Sequence, residues 1–255
     1  MKLKWQIAAR DTQPLREIVA KHKLSVHVKR RTRKNVRRQG IVIGKSACWK
    51  AMVGCLLTTH QKSGPHSHVH RFLRSRAAIL TYRKCRASNT LGTLARSELR
   101  RFGGIYRIGA IASEIEANYR WLETRNGWDI LLRGLRAVRT KPTKDKEREL
   151  AHIVDNALKG FGPKQSRNFI QWLGVSKYEI PLDSRIMNWL KMYNFPLLMS
   201  PKLLSDLAYY EFVLDGFQAL CTKAHILPCI ADASIFTDAD DLRHQSGVKR
   251  RATGK

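Results

Sequence analysis

Acidic residues are scarce in this sequence. Asp and Glu number 20 against 48 Lys and Arg, a formal net charge of +28 over 255 residues. An excess of that size repels itself in a compact fold unless a polyanion is nearby. Long apolar runs are missing too: none approaches the roughly 20 residues a membrane helix needs. The opening Met1-Lys2-Leu3-Lys4-Trp5 lacks the apolar stretch of a secretory signal. The five cysteines (48, 55, 85, 221 and 229) are odd in number and form no CxxC pair, which argues against a disulfide framework and a zinc ribbon. Their spacing also lacks the tight four-Cys pattern of an iron–sulfur loop. A reducing compartment is expected. No GxxxxGK[ST] loop is present, so an NTPase is not indicated.

What remains is a folded, basic chain. Hydrophobic residues make up 43% and aromatics 8%, too many for a disordered tail, and the charge points to a nucleic-acid binder. Positive charge is densest from Lys29 to Arg38, where seven of ten residues are Lys or Arg. That stretch reads either as a solvated arm or as a contact that tracks a DNA strand. Lys249-Arg250-Arg251 reads as a frayed basic tail.

Helical periodicity dominates after residue 46. Ser46 is a candidate cap for a helix carrying Trp49, Met52, Val53, Leu56 and Leu57. Gln61 to Pro65 breaks the pattern. Further helices are predicted from Ser67 to Leu80, from Thr93 to Phe102 (closed by Gly103-Gly104) and along Ile108, Ile111, Ala112, Ile115, Tyr119 and Leu122. Others are predicted over Trp128–Val138, Glu149–Leu158, Lys164–Leu173, Ser184–Tyr193 and Leu203–Ala224. Strand signals are few, at Ile41-Val42-Ile43 and Ser25-Val26-His27-Val28. The expected class is all-α.

The informative stretch is Leu158-Lys159-Gly160-Phe161-Gly162-Pro163-Lys164-Gln165-Ser166-Arg167. An apolar helix end meets Gly-Phe-Gly, then Pro163, then a second apolar-periodic helix. Two glycines around one apolar residue make a tight reversal that leaves backbone amides exposed. Proline suits a first helical position, where its missing N–H costs nothing. The pattern describes a plain αα-hairpin or a helix–hairpin–helix that seats one phosphate. In the second case Gly160, Phe161, Gly162, Lys159 and Arg167 are the DNA contacts, with Phe161 tucked between the helices. Lys164 falls in the first turn of the second helix. There the macrodipole and the neighbouring Lys159 and Arg167 favour the neutral amine, a nucleophile for Schiff-base chemistry; a phosphate contact is the alternative.

Farther on, Asp183 follows the apolar Ile180-Pro181-Leu182 and opens a helix. It is a predicted N-cap, and backbone amides that cap a helix also fix a carboxylate in direction. Such an anion suits a sugar that develops positive charge, or the activation of an amine or water.

Gly160-Phe161-Gly162-Pro163-Lys164, followed nineteen positions on by Asp183 after Ile180-Pro181-Leu182, resembles the helix–hairpin–helix DNA glycosylase superfamily. It is similar to the 8-oxoguanine glycosylase/AP-lyase branch. The strong match spans residues 158 to 190. Ala47 to Leu73 resembles the family's early core helix and the loop that wedges into the duplex. Ser166 stands where a small Ala is usual, and Ser184-Arg185 where Val-His or Arg-His is usual. The missing four-Cys cluster argues against the endonuclease III and adenine-glycosylase branches.

The resemblance implies two helical subdomains with an active cleft between them. Residues 1–45 would be a basic arm and part of the terminal subdomain, and 46–155 a helical core. Residues 156–192 would carry the hairpin and the catalytic pair, 193–245 would be C-terminal helices packing with the N-terminal segment, and 246–255 a basic tail. Lys164 would attack C1′ of a flipped nucleotide, with Asp183 assisting. His60, Gln61 and Lys62, in the loop after the first core helix, would form the wedge; the plain reading is an exposed connection. Trp49, Trp172, Tyr209, Tyr210 and Phe217 are available to a stacking pocket. The substrate would be an 8-oxoguanine-like or a hypermodified base, such as one in phage DNA, in a repair or a defence role. A glycosylase that uses Asp-activated water and a non-catalytic DNA-binding module stay open as alternatives. The expected partner is double-stranded DNA, met by a monomer with no cofactor in a nucleoid-associated, cytoplasmic location. His66, His68 and His70 converge poorly for a metal, so no metal site is expected. Asp238, Asp240 and Asp241 read as a solvated acidic cluster or a helix cap.

Overall fold

The computed structural model describes residues 4–61, 64, 67–75 and 80–252, the last ten as backbone only. The described residues hold helices and no strand. The chain divides into two compact units: Ile41–Val175 is one, and the segments before and after it, up to Gly40 and from Ser176, form the other. The stretch 156–192 therefore contributes to both. No single helix among the described residues is long and apolar enough to cross a membrane.

The unit Ile41–Val175 contains α3 (Lys45–Leu57), α4 (His68–Arg74), α5 (Tyr82–Arg86), α6 (Leu91–Phe102), α7 (Ile108–Thr124), α8 (Gly127–Thr140), α9 (Lys144–Ala157) and α10 (Pro163–Trp172). Helix α3 is its axis. Cys48, Trp49 and the whole run from Ala51 to Leu57 are buried, so the helix is apolar all round and surrounded by its neighbours. Its cap is Gly44 rather than Ser46. Trp49 donates its indole N–H to the Leu80 carbonyl at 2.9 Å and meets Tyr119 edge-on. Gly54 is where α10 comes closest: a Cβ there would lie 2.5 Å from the Trp172 ring. From α6 to α10 each helix packs against the next in sequence. Thr143 caps α9 by accepting from the Lys146 amide.

The second unit combines α1 (Gln13–His22), α2 (Val26–Arg31), α11 (Ser184–Met192), α12 (Leu207–Ala224) and α13 (Pro228–Ala252). Leu15, Ile186, Leu190, Tyr210, Val213, Leu214 and Phe217 fill its core. Trp5 stacks on Phe195 and donates to the Phe212 carbonyl at 3.0 Å, which ties the N-terminal segment onto α12.

Several sequence expectations do not hold. Ser25 to Val28 is not a strand: the Ser25 hydroxyl accepts from the Val28 amide and starts α2. Val28 is buried while Val26 is 77% exposed, so the alternation has no sheet to serve. Ile41-Val42-Ile43 is irregular chain with no strand beside it among the described residues. The basic stretch is not a loose arm, because α2 continues into a π-helical turn, Thr32–Val36. In the basic tail, α13 runs on to Ala252. The acidic cluster is not simply solvated: Asp238 accepts from Lys21 at 2.6 Å and meets His22 at 2.8 Å.

Burial alone would raise the Asp238 carboxyl, but the hydrogen bonds from Lys21 and His22 outweigh it and hold its pKa below the usual value. A depressed carboxylate stabilises the fold above its unfolded pKa and loses that contribution as pH falls through the folded value. Thermal stability should therefore decline as pH drops below about 4, and Asp238→Asn should flatten that decline while costing stability at neutral pH. Calorimetry at a series of pH values checks both outcomes.

Candidate active-site elements

The hairpin forms as its residues demand. The Leu158 amide closes α9 onto the Val154 carbonyl, and the Phe161 amide returns to Leu158. Gly160 has φ +78°, and a Cβ there would lie 2.5 Å from the Glu114 carboxyl and 2.8 Å from Leu56. Two independent constraints thus require glycine. Gly162 is the extended N-cap of α10, and Pro163 is its first residue. Phe161 is half-buried against the core and meets Phe169 edge-on. Lys159 and Gly160 are exposed.

A residue invisible to motif reading holds this turn. Asn118 is fully buried on α7. Its side-chain oxygen accepts the Lys159 amide at 2.7 Å, and its side-chain nitrogen donates to the Lys159 carbonyl at 3.0 Å. Both ends of one carboxamide clamp one residue's backbone, so the turn is fixed while the Lys159 side chain stays exposed. The only sequence signal is a polar residue on an otherwise apolar helix face.

Lys164 is the second residue of α10 and is half-buried. Within its unit its ammonium has no acidic partner among the described residues. It lies close enough to Cys55 to act electrostatically on that thiol, which burial pushes far above its usual range. Its neighbour Gln165 is buried and donates to the Cys55 carbonyl at 3.0 Å and to the Thr59 hydroxyl at 2.8 Å. The start of α10 is thereby tied to the turn after α3. In that turn His60 is exposed with φ +55°. Gln61 donates to the Leu57 carbonyl at 2.6 Å and accepts the Tyr106 amide at 3.0 Å. Tyr106, which the sequence reading passed over, is 71% exposed. An exposed aromatic tied to the proposed wedge was legible only as an aromatic after the glycine pair that ends α6. Lys62 lies outside the described residues.

Asp183 sits in the other unit and caps α11. Its Oδ1 accepts the Arg185 amide at 2.8 Å and the Ile186 amide at 3.2 Å. Its Oδ2 accepts the Arg185 guanidinium at 2.9 Å. The approach to it is fixed by Tyr210, whose buried hydroxyl donates to the Ile180 carbonyl at 3.0 Å and accepts the Leu182 amide at 2.8 Å. That is why Ile180-Pro181-Leu182 runs straight into the cap. The result is a carboxylate oriented by two amides and one cation, suited to stabilising positive charge.

Other expected site residues are placed elsewhere. Arg167 is fully buried. It donates to the Pro163 carbonyl, one helical turn back on the inward face, so it is corrected from a DNA contact to an interior group. Trp49 and Phe217 are each fully buried in the cores of different units, and neither offers a ring face to a base. Tyr210 is likewise interior. Trp172 and Tyr209 are partly buried; Trp172 lies over Gly54, and the Tyr209 hydroxyl donates to the Leu198 carbonyl. No cluster of three His, Cys, Asp or Glu among the described residues could hold a metal ion.

Neither a family model nor a curated protein matches the sequence. A solved structure does match: the 8-oxoguanine DNA glycosylase of Methanocaldococcus jannaschii, with a TM-score of 0.59 and 15% sequence identity, over 89% of this chain and 94% of that one. The chain shares the all-α fold of that protein. At that identity the likeness speaks to architecture, and the chemistry rests on the residues described above.

Asn118→Ala should loosen the hairpin. Losing both bonds to a half-buried peptide costs about 1–3 kcal/mol, a fall in melting temperature of several degrees for a chain this long. Asn118→Asp, which keeps the acceptor for the Lys159 amide, should recover part of that loss in calorimetry.

Proposed function

We propose that this protein is a DNA glycosylase with Schiff-base lyase activity. The observation that carries the reading is Lys164, an amine without an acidic partner in its own unit, one residue past the proline that follows a helix–hairpin–helix turn. It stands on a fold shared with an 8-oxoguanine glycosylase. The hairpin at Lys159 to Gly162 seats a phosphate on its exposed backbone and on the first turn of α10. His60, Gln61 and Tyr106 fill the gap left when the target nucleotide leaves the stack, which offsets part of the cost of flipping.

The Lys164 amine, once deprotonated, attacks C1′ as the bond from C1′ to the base breaks; the base leaves with that electron pair and takes up the proton that the new C1′–nitrogen bond's ammonium gives up. Asp183 is held by two amides and Arg185, which suits it to act as a fixed anion toward positive charge more than as a proton acceptor. Opening of the sugar ring gives the Schiff base. Loss of a C2′ proton then expels the 3′ phosphate, and water releases the enzyme. Because the structural neighbour is an 8-oxoguanine DNA glycosylase, 8-oxoguanine is the first base to test, and hypermodified bases such as those of phage DNA are the second.

The test is incubation with duplexes that carry each base, followed by borohydride. The expected outcome is base release with a covalent adduct that Lys164→Gln abolishes and Asp183→Asn slows by about 10²–10³. Base release with no adduct would assign the reaction to Asp183-activated water. Binding to every duplex without release from any would leave a DNA-binding module only.

A further inference from the structure

The hairpin chemistry makes no use of the basic stretch after Val28. Helix α2 and the π-helical turn that follows form one surface of the unit that carries Asp183. Val28 and Asn35 hold it down: both are buried, and Asn35 donates to the Ser176 carbonyl at 2.8 Å. The π turn is closed by the Arg37 amide on the Thr32 carbonyl at 2.8 Å. Arg31 is taken by Asp232 at 3.0 Å. Lys29, Arg30, Arg33 and Arg37 remain solvent-facing. Arg30, Arg33 and Arg37 recur at helix-like spacing over about 10 Å.

This surface connects to Asp183 by direct contacts within the same unit. Arg185, bonded to Asp183 at 2.9 Å, lies over the Phe236 ring with its guanidinium carbon 3.9 Å from the centroid. Its Nη2 lies 3.7 Å from Asp240, and its Nε is buried with no hydrogen-bond partner among the described residues. The other neighbour of Phe236 is His27, at 4.8 Å between ring centres, and His27 meets Arg30 at 3.4 Å. A continuous path therefore runs from the carboxylate through Arg185, Phe236 and His27 to the exposed arginines.

We infer that the exposed face of α2 and its π-helical turn is a second seat for the DNA backbone. The inference rests on the glycosylase reading and adds to it a phosphate contact on the unit that carries Asp183. Cations held together on a folded surface repel one another, and an approaching phosphate row relieves that cost by releasing counterions. Crowding by the folded surface, which strips part of its hydration, and the neighbouring Arg31 push the exposed Arg30 guanidinium below its ordinary pKa, and desolvation with Arg30 and Arg31 does the same to half-buried Lys34.

Binding to a duplex with a tetrahydrofuran abasic-site analogue, followed by fluorescence anisotropy over a salt series, tests this. The triple variant Arg30→Gln, Arg33→Gln, Arg37→Gln should reduce the slope of log K against log salt by about 2–3. It should also weaken low-salt binding by more than tenfold. Arg16→Gln, Lys202→Gln, Lys223→Gln removes the same charge from exposed positions on the same unit and should change the slope by less than about 1. If the triple variant melts early, Arg33→Gln alone should still reduce the slope by about 1. Equal effects of the two triples, or an unchanged slope where Lys159→Gln reduces it, would overturn the second seat and leave the glycosylase reading standing. Wild-type binding without any salt dependence would overturn the DNA reading itself.

Discussion

The whole proposed chemistry depends on one residue whose two flanking peptide groups are held by the same side chain. Asn118, buried on α7, takes the amide and the carbonyl of Lys159 with a single carboxamide. Without that clamp the Gly160 reversal is a flexible loop. With it, the hairpin's outward groups and the first turn of α10 are set before any ligand arrives. Preorganisation of this kind matters because orientation that is settled in folding adds nothing to the barrier at the moment of reaction. Tyr210 does the equivalent work for Asp183, through one hydroxyl bonded to the backbone on either side of Pro181.

Charge is organised around these two fixed elements. An excess of 28 positive charges would be a liability for a protein with neutral partners. Here acids are used at structural points: Asp238 on Lys21 and His22, Asp232 on Arg31, Glu114 on Arg107. What stays uncompensated is displayed outward, at Lys159 on the hairpin and along α2. The one carboxylate proposed for chemistry, Asp183, is itself bonded to Arg185, which fixes its direction.

Much of the architecture was legible because helices advertise themselves through periodicity. Most predicted segments after residue 46 coincide with observed helices to within a few residues, and the Asp183 cap is present. What escaped was long-range. Asn118 and Lys159 are 41 residues apart, and nothing local in either marks the bond between them. Arg167 was misread because a cation near a DNA-binding motif suggests a phosphate contact, whereas its place one turn after Pro163 turns it inward. Trp49 and Phe217 were misread because an aromatic's identity does not reveal which face it turns to the core. At Val26 and Val28 a capping serine overrode the alternation of β-branched residues.

Mapping the covalent bond tests the central claim most directly. After reductive trapping on a reactive duplex and digestion with nuclease and trypsin, mass spectrometry should find the sugar remnant on the peptide from Gly160 to Arg167, attached at Lys164. An adduct on Lys159 or on any other lysine, with Lys164 unmodified, would contradict the account.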